Sequence, residues 1–172
     1  MVEIVILNIA QHLSILLEFN TEYIEWIGEQ AKKHHKINLE PILGSSHSYA
    51  ARILDELETF QPPGGVFYLL QEGGSIVGMG ALRKLYPGVG EVKRMYIKPD
   101  YQGKGYGKLL LNQLLKKSKE LGYTSLRLDS GPFMKAAQHL YRSAGFVEIE
   151  RYPEAESPDI EGMPWSFMEK KL

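Results

Sequence analysis

Apolar spacing changes several times along the chain, and each change marks an element. Residues 2–7 form a short apolar run that predicts a strand. From 10 to 36, Leu13, Leu16, Leu17, Tyr23, Ile24, Ile27 and Ala31 fall on one broken face, which predicts a helix. Residues 45–60 repeat that spacing with Ala50, Ile53, Leu54 and Leu57, while the connector 38–44 reads as irregular. A turn at 61–65, rich in proline and glycine, precedes two strands at 66–71 and 75–82. Glu72-Gly73-Gly74 joins these as a hairpin.

The next strand spans 91–98, stops at Pro99, passes through a glycine-spaced loop and leads into a helix. Leu110, Leu111, Leu114, Leu115 and Leu121 recur there at helical steps. Gly122 ends that helix. A strand at 124–129, a helix at 132–144 closed by Gly145, a strand at 146–150, a loop at 152–164 and a last strand at 165–170 complete the chain. The pattern predicts one α/β domain over 1–172. Its sheet of about seven strands is mixed and mostly antiparallel, with helices on both faces. A βαβ unit sits in the middle, with the right-handed crossover such units take.

The loop Gln102-Gly103-Lys104-Gly105-Tyr106-Gly107-Lys108 is where chemistry enters. A helix start carries N–H groups with no partner inside the helix and the positive end of the macrodipole. Glycines let an anion approach those groups, so the loop is read as a phosphate site. Its spacing excludes a Walker loop, which needs glycine at Gln102 and a hydroxyl at Leu109. It also excludes the dinucleotide fingerprint, which needs glycine at Lys108. Lys104 and Lys108 either reach phosphate or are solvated. Gly78 and Gly80 leave room beside a strand or mark a bulge.

Composition narrows the rest. The chain has 172 residues, net charge −1 and no cysteine. It therefore has no thiolate metal site and no acyl-cysteine intermediate. No basic excess points to nucleic acid, and no apolar stretch approaches the ~20 residues of a membrane helix. The N-terminal run lacks a basic region and is short for a signal peptide, so a cytoplasmic setting is expected. Adjacent His34 and His35 do not share a helix face, and the other histidines are isolated, so no metal site is expected. A homodimer is the default oligomeric state.

Gln102 to Gly107 resembles the acyl-CoA pyrophosphate loop of the GNAT family of N-acetyltransferases. A second stretch, Ala137-Gln138-His139-Leu140-Tyr141-Arg142-Ser143-Ala144-Gly145-Phe146, resembles that family's Ala-x-x-Leu-Tyr-x-x-x-Gly-Phe motif. The resemblance covers roughly residues 66–150. It departs at Met134, where many members carry asparagine. It implies direct acetyl transfer from acetyl-CoA to a primary amine in a ternary complex. The acyl-CoA would be held by Met95, Tyr96, Ile97, Gln102, Gly103, Lys104, Gly105, Tyr106, Gly107, Lys108, Ala137 and Tyr141. A backbone N–H between Met95 and Ile97 would hold the oxyanion.

Tyr141 matches the tyrosine that protonates the departing thiolate. Its alternative is a helix tyrosine packed on the sheet. Glu91 stands at the offset from Gln102 of the catalytic glutamate in the family's histone-acetylating branch, where it would act as base through a water. Its alternative is a solvated strand end. Residues 1–60 would build the acceptor wall, and 151–172 an acidic loop and closing strand. Glu154, Glu156, Asp159 and Glu161 either attract an amine or keep that loop soluble. The acceptor expected is a small molecule. The alternatives are a protein or peptide amine, and a non-catalytic module that senses acetyl-CoA.

Overall fold

The computed structural model describes residues 1–172. Seven strands form one sheet: β1 (Val2–Ile6), β2 (Val66–Glu72), β3 (Ser75–Tyr86), β4 (Val89–Ile97), β5 (Ser125–Ser130), β6 (Val147–Ile149) and β7 (Ser166–Lys171), in the order β1-β2-β3-β4-β5-β7-β6. Five α-helices join them: α1 (Ile9–His35), α2 (Glu40–Leu43), α3 (Ser46–Glu56), α4 (Tyr106–Glu120) and α5 (Lys135–Ser143). Only β4 and β5 run parallel, linked through α4. No helix is long and apolar enough to cross a membrane.

Helices cover both faces of the sheet, which explains why β2 reads as a continuous apolar run rather than an alternating one. Val66 and Tyr68 pack with Leu110, Leu111 and Leu114 of α4. Phe67 and Leu69, on the opposite face, pack with Leu16 and Phe19 of α1 and Ile53 of α3. The connector expected to be irregular contains α2, with Pro41 in its first turn, where a missing N–H costs nothing. The second helical stretch ends at Glu56 and tightens into a 3-10 turn over Leu57–Phe60. The helix expected from 132 starts at Lys135, because a turn closed by the Met134 N–H on the Gly131 carbonyl precedes it.

Two irregularities in β4 create the space for a site. Its ladder to β5 ends at Glu91↔Arg127. Beyond that pair β4 stays with β3 and β5 stays with β7, so the parallel strands part and a wedge opens between them. The second irregularity is a bulge. The β3–β4 register passes from Met79↔Tyr96 to Ala81↔Lys93, leaving Arg94 and Met95 opposite Gly80. Arg94 takes φ 57°, a left-handed conformation that costs a non-glycine residue about 1–3 kcal/mol. A Cβ on Gly80 would lie 2.8 Å from the Met95 sulfur and 3.0 Å from Leu110 Cδ2, so a larger residue under the bulge would have to displace these side chains. Regular pleating would send neighbouring side chains to opposite faces. The bulge instead turns both Lys93 and Arg94 into the wedge.

Candidate active site

The glycine loop follows a short 3-10 turn at Pro99–Tyr101 and is tied to β4 by the Gln102 side chain, whose Nε2 donates to the Ile97 carbonyl at 2.9 Å. Gly103 and Gly105 sit at φ 77° and 82°, and Gly105 is the N-cap of α4, with no side chain capping it. The first backbone bond of the helix comes from the Leu109 N–H. Every backbone N–H from Gly103 to Lys108 is therefore without a protein acceptor. These donors converge at the positive end of a 15-residue helix, an arrangement suited to a dense anion.

From this loop a cleft of about 490 Å³ runs along the open edge of β4. It gathers almost all the residues predicted to bind a cofactor: Met95, Tyr96, Ile97, Gln102, Gly103, Gly105, Tyr106, Gly107, Lys108, Ala137 and Tyr141. Lys104 alone stays out of the lining; it points to Glu72 at 3.8 Å and lies over the Tyr101 ring at 4.6 Å. Glu72 also accepts a hydrogen bond from the Tyr106 hydroxyl. Trp26 and Phe133, which the sequence did not single out, add an aromatic wall.

A second cavity of about 330 Å³ occupies the inner part of the wedge. The two spaces share Tyr23, Met95, Met134, Ala137 and Tyr141 as lining, so Tyr141 stands at their junction. Its ring is 5% exposed and meets Phe146 edge-on at 5.9 Å, while no side chain hydrogen-bonds its hydroxyl. Burial, reinforced by Tyr23 and Asp129, pushes this phenol well above its ordinary pKa and keeps it protonated at neutral pH. Tyr23 is pushed up to about 12, chiefly by burial.

Charged side chains crowd the inner cavity. Lys93 reaches Glu156 at 3.2 Å and Asp129 at 3.3 Å. Asp129 also accepts the Ser157 N–H at 3.1 Å. Burial would raise the Asp129 carboxyl, but Lys93 and Ser157 outweigh it and hold the group below its ordinary value. Glu156 is likewise lowered: Lys93, Arg83 and Arg94 overcome the cost of burial. On the α3 side Arg94 donates to Glu56 at 3.0 Å and sits against Tyr49.

Glu91 does not join this lining. It is fully buried behind the wall, one oxygen receiving Arg83 at 2.7 Å and the other the Tyr152 hydroxyl at 2.6 Å. Burial pushes its carboxyl up, with Lys93 and Arg83 pulling the other way. With both oxygens engaged and no exposed surface, it has no open face toward a cavity ligand. The expectation of a solvated strand end also gives way, because Arg83 and Tyr152 bury the carboxylate. For the acidic loop, solvation alone does not describe what is found. Instead Tyr152, Ala155, Ser157 and Met163 are buried, and Glu156 faces the cavity.

Sequence reasoning missed Asp129, Lys93 and Arg94, and left Glu156 between attracting an amine and keeping a loop soluble. Asp129 had a signal: it lies near the carboxyl end of a parallel strand, where open α/β sheets place their ligands. Lys93-Arg94 was a basic pair inside an apolar strand. Met134, the departure noted in the sequence, caps α5 and receives the Ser130 hydroxyl on its sulfur at 3.6 Å.

An anion cradle at a helix start, opening through a protonated phenol into a separate polar cavity, defines the site of a group-transfer enzyme with two substrates. The chain belongs to the acetyltransferase (GNAT) family, whose model matches residues 24–146. It is 32% identical over 119 residues to the uncharacterized N-acetyltransferase YsnE of Bacillus subtilis, covering 67% of this chain and 76% of that protein. It is 31% identical over 111 residues to the IAA acetyltransferase of Azospirillum brasilense, covering 64% and 72%. Its fold matches PaiA N-acetyltransferase of Thermoplasma acidophilum, solved in complex with coenzyme A, with a TM-score of 0.77 and 23% identity over 100% of this chain and 99% of that one.

Proposed function

We propose that this N-acetyltransferase moves an acetyl group from acetyl-CoA to the primary amine of a small molecule, directly, with both substrates bound. The observation that carries the reading is the run of free amides from Gly103 to Lys108 at the head of a cleft that ends at Tyr141. The amides and Lys108 receive the diphosphate. The edge of β4 beyond Glu91, unpaired after the strands part, receives the pantetheine arm as an added half-strand. A backbone N–H near Met95 to Ile97 supports the carbonyl oxygen as charge builds on it.

Acetyl-CoA supplies an activated thioester. The new C–N bond forms as the C–S bond breaks, the amine loses one proton and the departing sulfur gains one from Tyr141. Against a thiol near ~8.5 even a free phenol near ~10 is the weaker acid, and burial widens the gap, so the hand-over is uphill and is drawn forward by cleavage of the thioester. The phenolate left behind is costly in a buried setting, so the proton is restored promptly.

Deprotonating the amine is the harder step. An alkyl amine near ~10.4 is neutral in only roughly one molecule in 10³ at pH 7. Asp129 and Glu156 have lowered pKa values and are poor bases; they suit holding a cation. In this reading the amine sheds its proton to water, and Glu91 acts through Arg83 and Lys93 as a positioning residue. A cavity of about 330 Å³ fits a small acceptor better than a polypeptide segment.

The test is purified protein with acetyl-CoA and a panel of small amines and peptides, read by release of free CoA. Release with small amines supports the proposal. Tight CoA binding with intact thioester across the whole panel would make the chain a sensor, and turnover confined to peptides would move the acceptor class.

A further inference from the structure

Two buried side-chain donors, Arg94 Nε and Trp165 Nε1, have no partner, and both residues line the inner cavity. Arginine and indole nitrogens only donate, so the missing partner is an acceptor. Arg94 is 8% exposed, and a buried guanidinium with a free donor is a costly thing to leave unmatched.

The charges of the cavity are also unevenly placed. On the α3 side the guanidiniums of Arg52 and Arg94 flank the Tyr49 ring at 4.8 and 5.7 Å, with Glu56 as the carboxylate paired to Arg94. Arg52 donates to the Leu43 carbonyl rather than to an acid. On the β5 side the balance reverses: among the lining residues Lys93 faces two acids, Asp129 and Glu156. One side therefore has a surplus of positive charge and the other a surplus of negative charge. Asp129, on the negative side, lines the same cavity as Tyr141.

We infer that the acceptor is a zwitterion, a small amino acid-type molecule whose carboxylate is held by Arg94 with the Trp165 N–H, and whose amino group lies toward Asp129 and Tyr141. This rests on the acetyl-transfer reading and specifies its substrate. A planar carboxylate accepting from a guanidinium is a strong, directional pair. The strained bulge at Arg94 gains a purpose here, since a regular strand would aim that guanidinium at the opposite face.

The experiment compares matched sets with acetyl-CoA: L-amino acids, their primary amides, and the amines lacking the carboxyl carbon, read as kcat/KM for CoA release per neutral amine. The acids should exceed amides and amines by about 10- to 100-fold. Arg94→Gln should abolish that preference. Because Arg94 also pairs with Glu56, Trp165→Phe provides a milder variant that keeps the packing and should reduce the preference several-fold. Amides or simple amines acetylated as well as acids would overturn the inference while leaving acetyl transfer intact.

Failure of acetyl transfer itself is detected separately, as no CoA release with any member of the three sets. In that event, Trp165 emission is titrated in a Trp26→Phe protein with the same acids and amides. A shift with acids alone upholds the carboxylate site; equal shifts or none refute it.

Discussion

Replacing Tyr141 with phenylalanine separates packing from chemistry. The ring is buried against Phe146, while its hydroxyl makes no hydrogen bond to a side chain. Removing that oxygen breaks no internal bond, so stability should change by less than about 0.5 kcal/mol. The catalytic loss has a floor and a ceiling. A thiol near ~8.5 leaving as the bare thiolate at pH 7 forgoes about 1.5 pH units, about 2 kcal/mol or roughly 30-fold. General-acid groups contribute typically 10²–10⁴-fold, so kcat should fall by at least about 30-fold and by no more than about 10⁴-fold. CoA affinity should stay within about twofold. The assay is steady-state thiol release with the best amine, together with a thermal melt and a CoA titration on the same preparation. In the wild type, burial raises this phenol, so no loss from its ionisation should appear before the pH passes ~10. An unchanged kcat, or a kcat loss matched by a large fall in melting temperature, would refute the assignment.

Glu91→Gln should lower kcat by loosening Lys93 and Arg83 while leaving the shape of the pH–rate profile unchanged; a loss confined to low pH would instead restore Glu91 as the base. Gly105→Ala forces a side chain into φ 82°, costing about 1–2 kcal/mol, at the N-cap that shapes the run of free amides. CoA affinity should fall at least tenfold, measured by calorimetry, and unaltered affinity would exclude a diphosphate there. Asp129 and Glu156 are held below their unfolded values of 3.8 and 4.5. Their stabilising contribution is therefore complete above about pH 4.5 and is lost as pH falls below 4, partly offset by Glu91, which is shifted the other way. Urea unfolding from pH 3 to 7 should show this slope, reduced in Asp129→Asn.

Features set by neighbouring residues were legible in the sequence. The leucine spacing of α4, the glycines before it and the Tyr141 stretch each depend on a local pattern, and they fall on the elements expected. The wedge between β4 and β5 was not legible, because it depends on where a ladder between distant segments stops. Nor was the bulge: Arg94 carries no sequence sign of a left-handed backbone, and the register shift that goes with it is set against β3, between Met79 and Ala81. Composition misled for residues 152–164. Acidic residues and prolines suggested a solvated loop, yet Tyr152 is buried with its hydroxyl on Glu91, and Glu156 bridges Arg83 and Lys93. Counting charges along a chain does not reveal that their partners lie inside.

Titrating ¹⁵N-labelled protein with coenzyme A and following the backbone amides of Gly103, Gly105, Tyr106, Gly107 and Lys108 addresses the diphosphate cradle most directly. These donors have no protein acceptor, so they should show the largest downfield shifts and saturate together with the calorimetric isotherm. Saturable binding that leaves these amides unmoved, or no binding at all, would contradict the account.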